Sequence, residues 1–246
     1  MATMAKGSEN FYQEMMVNYL VSMARTVEAA VNRAMEALLD SHSPRAGTLV
    51  SEIFYNEPRI NEMEIVIDEH AVRTLRGGAL PEKDIRMIVA TLRINNDLER
   101  MGDLAVNIGQ RVISLAEMKP AETPPEFAPM SEAVRAMVGK SLGALIFRNV
   151  NLATAVLQSD DAVDRFRDVV FERLLAEMAH YPDTVAPNMQ FVLVSRYLER
   201  IADHCTNIAE DVLFWVRGLD VRHGRALQMD QTSPDPVREA TAFEGE

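Results

Sequence analysis

Leu98-Glu99-Arg100-Met101-Gly102-Asp103-Leu104-Ala105-Val106-Asn107-Ile108 returns one hundred positions later as Leu198-Glu199-Arg200-Ile201-Ala202-Asp203-His204-Cys205-Thr206-Asn207-Ile208. Six of the eleven positions are identical. A period that long exceeds one solenoid unit, so it marks a duplicated domain. The identities keep Glu, Asp and Asn at four-residue steps, and on a helix that spacing stacks three oxygen-bearing side chains along one face.

Around these motifs the hydrophobic spacing is helical. Tyr12, Met16, Tyr19, Met23, Val27, Ala30, Ala34 and Leu38 recur every three or four residues and predict a helix over 10–40. Ser43-Pro44 reads as an N-cap with proline at the first helical position, opening a short connecting helix. Asn56-Glu57-Pro58 repeats that device and predicts a new helix carrying Ile60, Met63, Ile67 and Ala71, ended by Arg76-Gly77-Gly78. A third helix starts near Pro81 and runs through Val112. The run from Lys119 to Pro129 holds four prolines and reads as the linker. The plan then repeats: one long helix from Val134 to Val156, a second from Val163 to Met178 stopped by Tyr181-Pro182, and a third from about Pro187 to Val216, ended by Gly218. No segment alternates with period two. The expected fold is therefore all-α, two tandem three-helix bundles related by internal duplication: 8–118, a linker at 119–129, 130–223, and a disordered acidic tail at 224–246.

Composition narrows the function. The 246 residues carry 25 Lys+Arg against 37 Asp+Glu, a formal net charge of −12. That field repels nucleic acid, and no basic stripe with interleaved aromatics relieves it. No Gly-rich phosphate cradle is present. No run approaches the length of a membrane span, and the start lacks the apolar core of a signal peptide. One cysteine, Cys205, cannot form an internal disulfide, which fits a reducing cytosol.

Glu99, Asp103 and Asn107 fall opposite the apolar stripe of Met101, Ala105, Ile108 and Val112. On one helix these would read as solvated residues, with Arg100 and Arg200 pairing Asp103 and Asp203. Two features favour a site. Carboxylates four residues apart repel by a few tenths of a kcal/mol, yet they recur in both halves. A second acidic ladder precedes each motif, Glu57 with Asn61 and, 103 positions on, Asp160 with Asp164. Such faces brought together call for a cation, and oxygen ligands suit a hard one such as Mg²⁺, Mn²⁺, Ca²⁺ or ferric iron. The expected ligands are Glu99, Asp103, Asn107, Glu199, Asp203, Asn207, Glu57, Asn61, Asp160 and Asp164. In the second half, Glu199 and Asp203 would face Asp160 and Asp164 across a gap that a hydrated cation bridges.

Among the remaining residues, His204 reads either as part of that cluster or as a hydrogen-bonded surface group. Cys205 and Trp215 read as core, Trp215 alternatively as interface. Glu177-x-x-His180 matches half of a di-iron bundle motif but has no partner in the other half.

Together, Asn61-Glu62-Met63-Glu64-Ile65-Val66-Ile67-Asp68-Glu69, the paired Leu-Glu-Arg-x-x-Asp motifs at 98–103 and 198–203, and Gly218-Leu219-Asp220-Val221-Arg222-His223 resemble the PhoU family of phosphate-transport accessory proteins, from the first helix to His223. The resemblance implies a three-helix bundle in each half, with E(D)-x-x-x-D motifs that hold metal on the bundle surface. Carried over, the ligands are Glu99, Asp103, Glu199 and Asp203, with Asp160 and Asp164 beside them and Fe, Mn, Mg, Zn or Ca as the metal. Glu57-x-x-x-Asn61 departs from the acid–acid pattern, and Glu82-Lys83 replace small or apolar residues. The resemblance also implies a non-enzymatic cytosolic regulator that restrains phosphate uptake and the phosphate-starvation response. It would contact the ATP-binding subunit of a phosphate transporter and a sensor histidine kinase, as a homodimer reaching the membrane only through partners. The rival readings are a ferritin-like carboxylate oxidase and a helical scaffold without metal.

Overall fold

The computed structural model describes residues 2–119 and 121–222, with side chains from Phe11 onward and that of Asp160 excepted. The expected tail at 224–246, and His223 of the closing motif, lie outside the described residues. Seven α-helices and no strand occur among the described residues: α1 Ala2–Leu39, α2 Pro44–Leu75, α3 Glu82–Glu117, α4 Phe127–Phe147, α5 Val150–Leu157, α6 Asp160–His180 and α7 Val185–Arg217. The first half is the bundle α1–α3. The second is built from α4 with its short continuation α5, α6 and α7.

Besides the start of α1, at Ala2 rather than near residue 10, three predicted boundaries differ from the structure. Pro58 opens no new helix, because α2 runs through it. The proline removes one backbone hydrogen bond, but it is exposed while Ile53 and Ile60 on either side are buried. Packing of that face keeps the helix continuous. The long helix predicted from Val134 to Val156 breaks at Arg148, which takes the left-handed conformation at φ 50°. Asn149 then caps α5, its side-chain oxygen accepting from the backbone N–H groups of Asn151 and Leu152. Finally, the linker ends earlier than predicted. Phe127 is fully buried and begins α4, and Pro129 sits in the first turn, where its missing N–H leaves no bond unmade.

Helix α3 and helix α7 form the central contact, running antiparallel. Arg93 bonds Asp211, and further along Arg111 bonds Gln190. Across the other edge, Arg135 of α4 reaches Asn32 of α1. Buried side chains from both halves join into one continuous core. Phe127 and Phe191 are both fully buried with ring centroids 5.7 Å apart, and burying a side chain of that size is worth about 1.5–3 kcal/mol. Cys205 lies in this core, as its apolar face predicts. Within the first half, Gly102 and Gly109 let α2 approach α3 closely: a Cβ at Gly102 would lie 3.1 Å from Ile60 Cδ1.

The core positions fix how the halves correspond. Ile60, Ile67 and Ala71 on α2 are buried, and so are Val163, Val170 and Leu174, each 103 positions later on α6. Helices α3 and α7 correspond at a shift of 100 through the repeated motif.

Candidate metal centre

Along α2, Glu57, Asn61, Glu64 and Asp68 follow helical spacing (i, i+4, i+7, i+11) and share one stripe. Opposite them α3 presents Glu99 and Asp103. Asn95 Nδ2 ties the helices together, donating to Asp68 Oδ1 at 3.0 Å and to the Glu64 carbonyl at 3.1 Å. Burial pushes the Glu99 carboxyl above its ordinary value, and the charges of Asp103 and Glu64 push it further, against the opposing pull of Arg100. Glu64 is raised as well, first by burial and then by Asp68. The first half thus gathers Glu64, Asp68, Glu99 and Asp103, with Arg100 beside Glu99, its Nε 3.5 Å from Glu99 Oε2. Of the predicted ligands here, Glu57, Asn61 and Asn107 are half-buried, while Glu64 and Asp68 were missed. Extending the Glu57 ladder two more turns finds them.

The second half is different. Arg167, also missed, lies among its carboxylates where the sequence predicted an open gap. Its Nη1 donates to Glu199 Oε1 at 2.6 Å, its Nη2 to Asp168 Oδ1 at 2.8 Å, and Asp164 Oδ1 is 3.5 Å from Nη1. Asp168 first, then Glu199 and Asp164, deepen the protonated state of the guanidinium. The side chain of Asp160 lies outside the described residues, and Asp203 is exposed. Asn207 turns toward α3, donating to Asp97 Oδ1 at 3.2 Å. His204 joins it there, Nδ1 2.8 Å from the same oxygen. His204 therefore serves the seam between the halves. Two buried aspartates, Asp97 and Asp211, belong to that seam and were not singled out from sequence; Asp97 immediately precedes the α3 motif and Asp211 lies three residues past the α7 motif, on a face that periodicity assigns to no partner.

Does this set fit a metal? Among the described residues no three His, Cys, Asp or Glu side chains converge closely enough to hold an ion. In the first half the donor types suit a hard cation, being crowded, partly desolvated carboxyls, although the side chains do not converge on one. In the second half the set does not fit, because a guanidinium already fills the charge-balancing place. The di-iron alternative gains nothing either. Glu177 accepts from Asn188 Nδ2, and His180 at the exposed end of α6 faces the Ala176 carbonyl.

Comparison with known proteins places this geometry in context. The PhoU domain matches residues 20–112 and again 127–212. A phosphate-specific transport system accessory protein PhoU homolog from Pseudomonas aeruginosa is 35% identical over 209 residues, covering 84% of each chain. The homolog of that name from Aquifex aeolicus is 33% identical over 204 residues, 83% of this chain and 90% of that one. The crystal structure of PhoU from Pseudomonas aeruginosa superposes with a TM-score of 0.80 at 33% identity, covering 85% of this chain and 99% of that one. The phosphate transport system regulatory protein PhoU from Streptococcus pneumoniae, 21% identical, shares the fold at a TM-score of 0.76 over 87% of this chain and 99% of its own.

Proposed function

The chain belongs to the PhoU family, and from that membership we propose that it is a cytoplasmic regulator of phosphate uptake and of phosphate-starvation signalling. It works by protein–protein contact, with the ATP-binding subunit of a phosphate transporter and with a sensor histidine kinase, and it pairs as a homodimer. The observation that carries this reading is the double PhoU match across both halves, together with relatives named as transport accessory proteins. The charge supports it. At −12 the chain offers little to free phosphate, so phosphate status reaches it through partners. Among the described residues no helix is long and apolar enough to cross a membrane, consistent with a protein that meets the transporter from outside the bilayer.

A hard cation such as Mn²⁺ or Mg²⁺ supports this role at the first half, held by Glu64, Glu99 and Asp103 with Asp68 alongside. When bound, it would neutralise the repulsion between α2 and α3. The chain's own residues do the rest: Asn95 positions Asp68, and the apolar face beneath keeps both helices in register.

The test is genetic. In a bacterium lacking its own PhoU, expression of this chain should silence a phosphate-starvation reporter in phosphate-rich medium, and the transporter ATPase subunit should co-purify with it. A reporter that stays fully induced despite normal protein levels overturns the proposal.

A further inference from the structure

At one pair of equivalent positions the two halves carry opposite charge. Glu64 on α2 faces Glu99 on α3, and 103 positions later Arg167 on α6 faces Glu199 on α7. The correspondence rests on packing: the buried residues flanking Glu64 (Ile60, Ile67, Ala71) have their counterparts flanking Arg167 (Val163, Val170, Leu174). The exchange of carboxylate for guanidinium changes the local charge by two units. It has opposite consequences on the two faces. The first half sets Glu64 and Asp103 against Glu99, with Arg100 Nε 3.5 Å from Glu99 Oε2. The second places a cation 2.6 to 3.5 Å from three carboxylates.

We infer that Arg167 is a built-in counter-cation that closes the second half's carboxylate face to metal ions, so that cation recognition by these duplicated faces is confined to the first half. This rests on the first-half metal reading for its positive side only. A guanidinium cannot be deprotonated in a protein and offers five donors in a fixed fork. Its hydrogen bonds to carboxylates are charge-assisted and about twice as strong as neutral ones. A divalent ion entering between Asp164 and Glu199 has to expel Arg167 from all of them and then repel it at short range. Duplication therefore produced two faces with the same acidic motif and different charge balance: in one Arg100 reaches a single carboxylate at 3.5 Å, in the other Arg167 is held among three.

The experiment is Mn²⁺ equilibrium dialysis of the full, chelator-treated chain with elemental counting, on the wild type, Glu199→Gln, Arg167→Gln and the double variant. Glu199→Gln should leave the wild-type Mn²⁺ content unchanged. Arg167→Gln should add one equivalent per chain, and Glu199→Gln in that background should remove it. Loss of an equivalent in the single Glu199→Gln variant overturns the inference, and so does an Arg167→Gln variant that gains none. If the wild type binds no Mn²⁺ at all, the first-half reading fails on its own, while the gain on removing Arg167 still decides this one. Circular dichroism confirms folding, and Arg167→Met replaces Arg167→Gln if that variant does not fold.

Discussion

Arg93 on α3 donates to Asp211 on α7 at 3.1 Å, a bond spanning 118 residues of sequence that joins the two halves. Asp211 is 4% exposed. Burial raises its carboxyl to about 6, outweighing the hydrogen bond and charge of Arg93 that pull it down, with Asp97 adding to the rise.

A pH dependence follows. The folded protein holds this proton up to about pH 6, whereas an unfolded aspartate releases it near pH 4. Between those values the native state binds more protons, so stability falls as pH rises through the window. Asp211→Asn does not titrate. Compared with that variant, the wild type should lose on the order of 2 kcal/mol between about pH 4 and pH 6.5. Urea unfolding at stepped pH measures this, and parallel curves for the two proteins would refute it.

The first-half carboxylates give a second test. With Glu99 raised by burial and by Asp103 and Glu64, its ionised form opposes folding at neutral pH. Glu99→Gln should therefore melt higher than the wild type in chelator at pH 7, by up to about 1 kcal/mol given partial exposure. Added Mn²⁺ should then raise the wild-type melting point and leave the variant's nearly unchanged. A variant that melts lower without metal shows that Glu99 is needed for packing instead.

Close approach of α2 to α3 depends on Gly109. A Cβ there would sit 3.2 Å from Val50 Cγ1 and 3.3 Å from Phe54 Cε1. Gly109→Val should destabilise by about 1–3 kcal/mol through overpacking. Gly109→Ala should be much milder, since alanine recovers about 1 kcal/mol of helix propensity. Equal losses in chemical denaturation would show that the glycine is not there for contact distance.

Free phosphate should not bind the metal-free protein measurably. Five of the arginines are held by carboxylates: Arg33 by Glu52, Arg93 by Asp211, Arg173 by Glu126, Arg222 by Asp220, and Arg167 by three, and the net charge of −12 opposes a further anion. Calorimetry of chelator-treated protein with inorganic phosphate checks this, and micromolar binding would recast the chain as a sensor in its own right.

The helical class, the duplication and most helix ends were legible in the sequence because they depend on local terms. Apolar spacing marks a buried stripe whatever it packs against. Pro44 at a helix start and Gly218 in the left-handed conformation at a helix end act through their own backbones. Glu99, Asp103, Glu199 and Asp203 could likewise be found as a repeated ladder. Only the tertiary structure decided what that ladder meets. Periodicity says which residues share a face, but not which side chain reaches across from the neighbouring helix. Arg167 was one charge among many on α6 until packing of Val163, Val170 and Leu174 aimed it at Glu199. The seam of Asp97 with His204 joins residues 107 apart, and the high pKa of Asp211 exists only once α3 and α7 exclude water from it. Pro58 shows the same limit in reverse: its local preference is to open a helix, and burial of Ile53 and Ile60 on either side keeps α2 continuous through it.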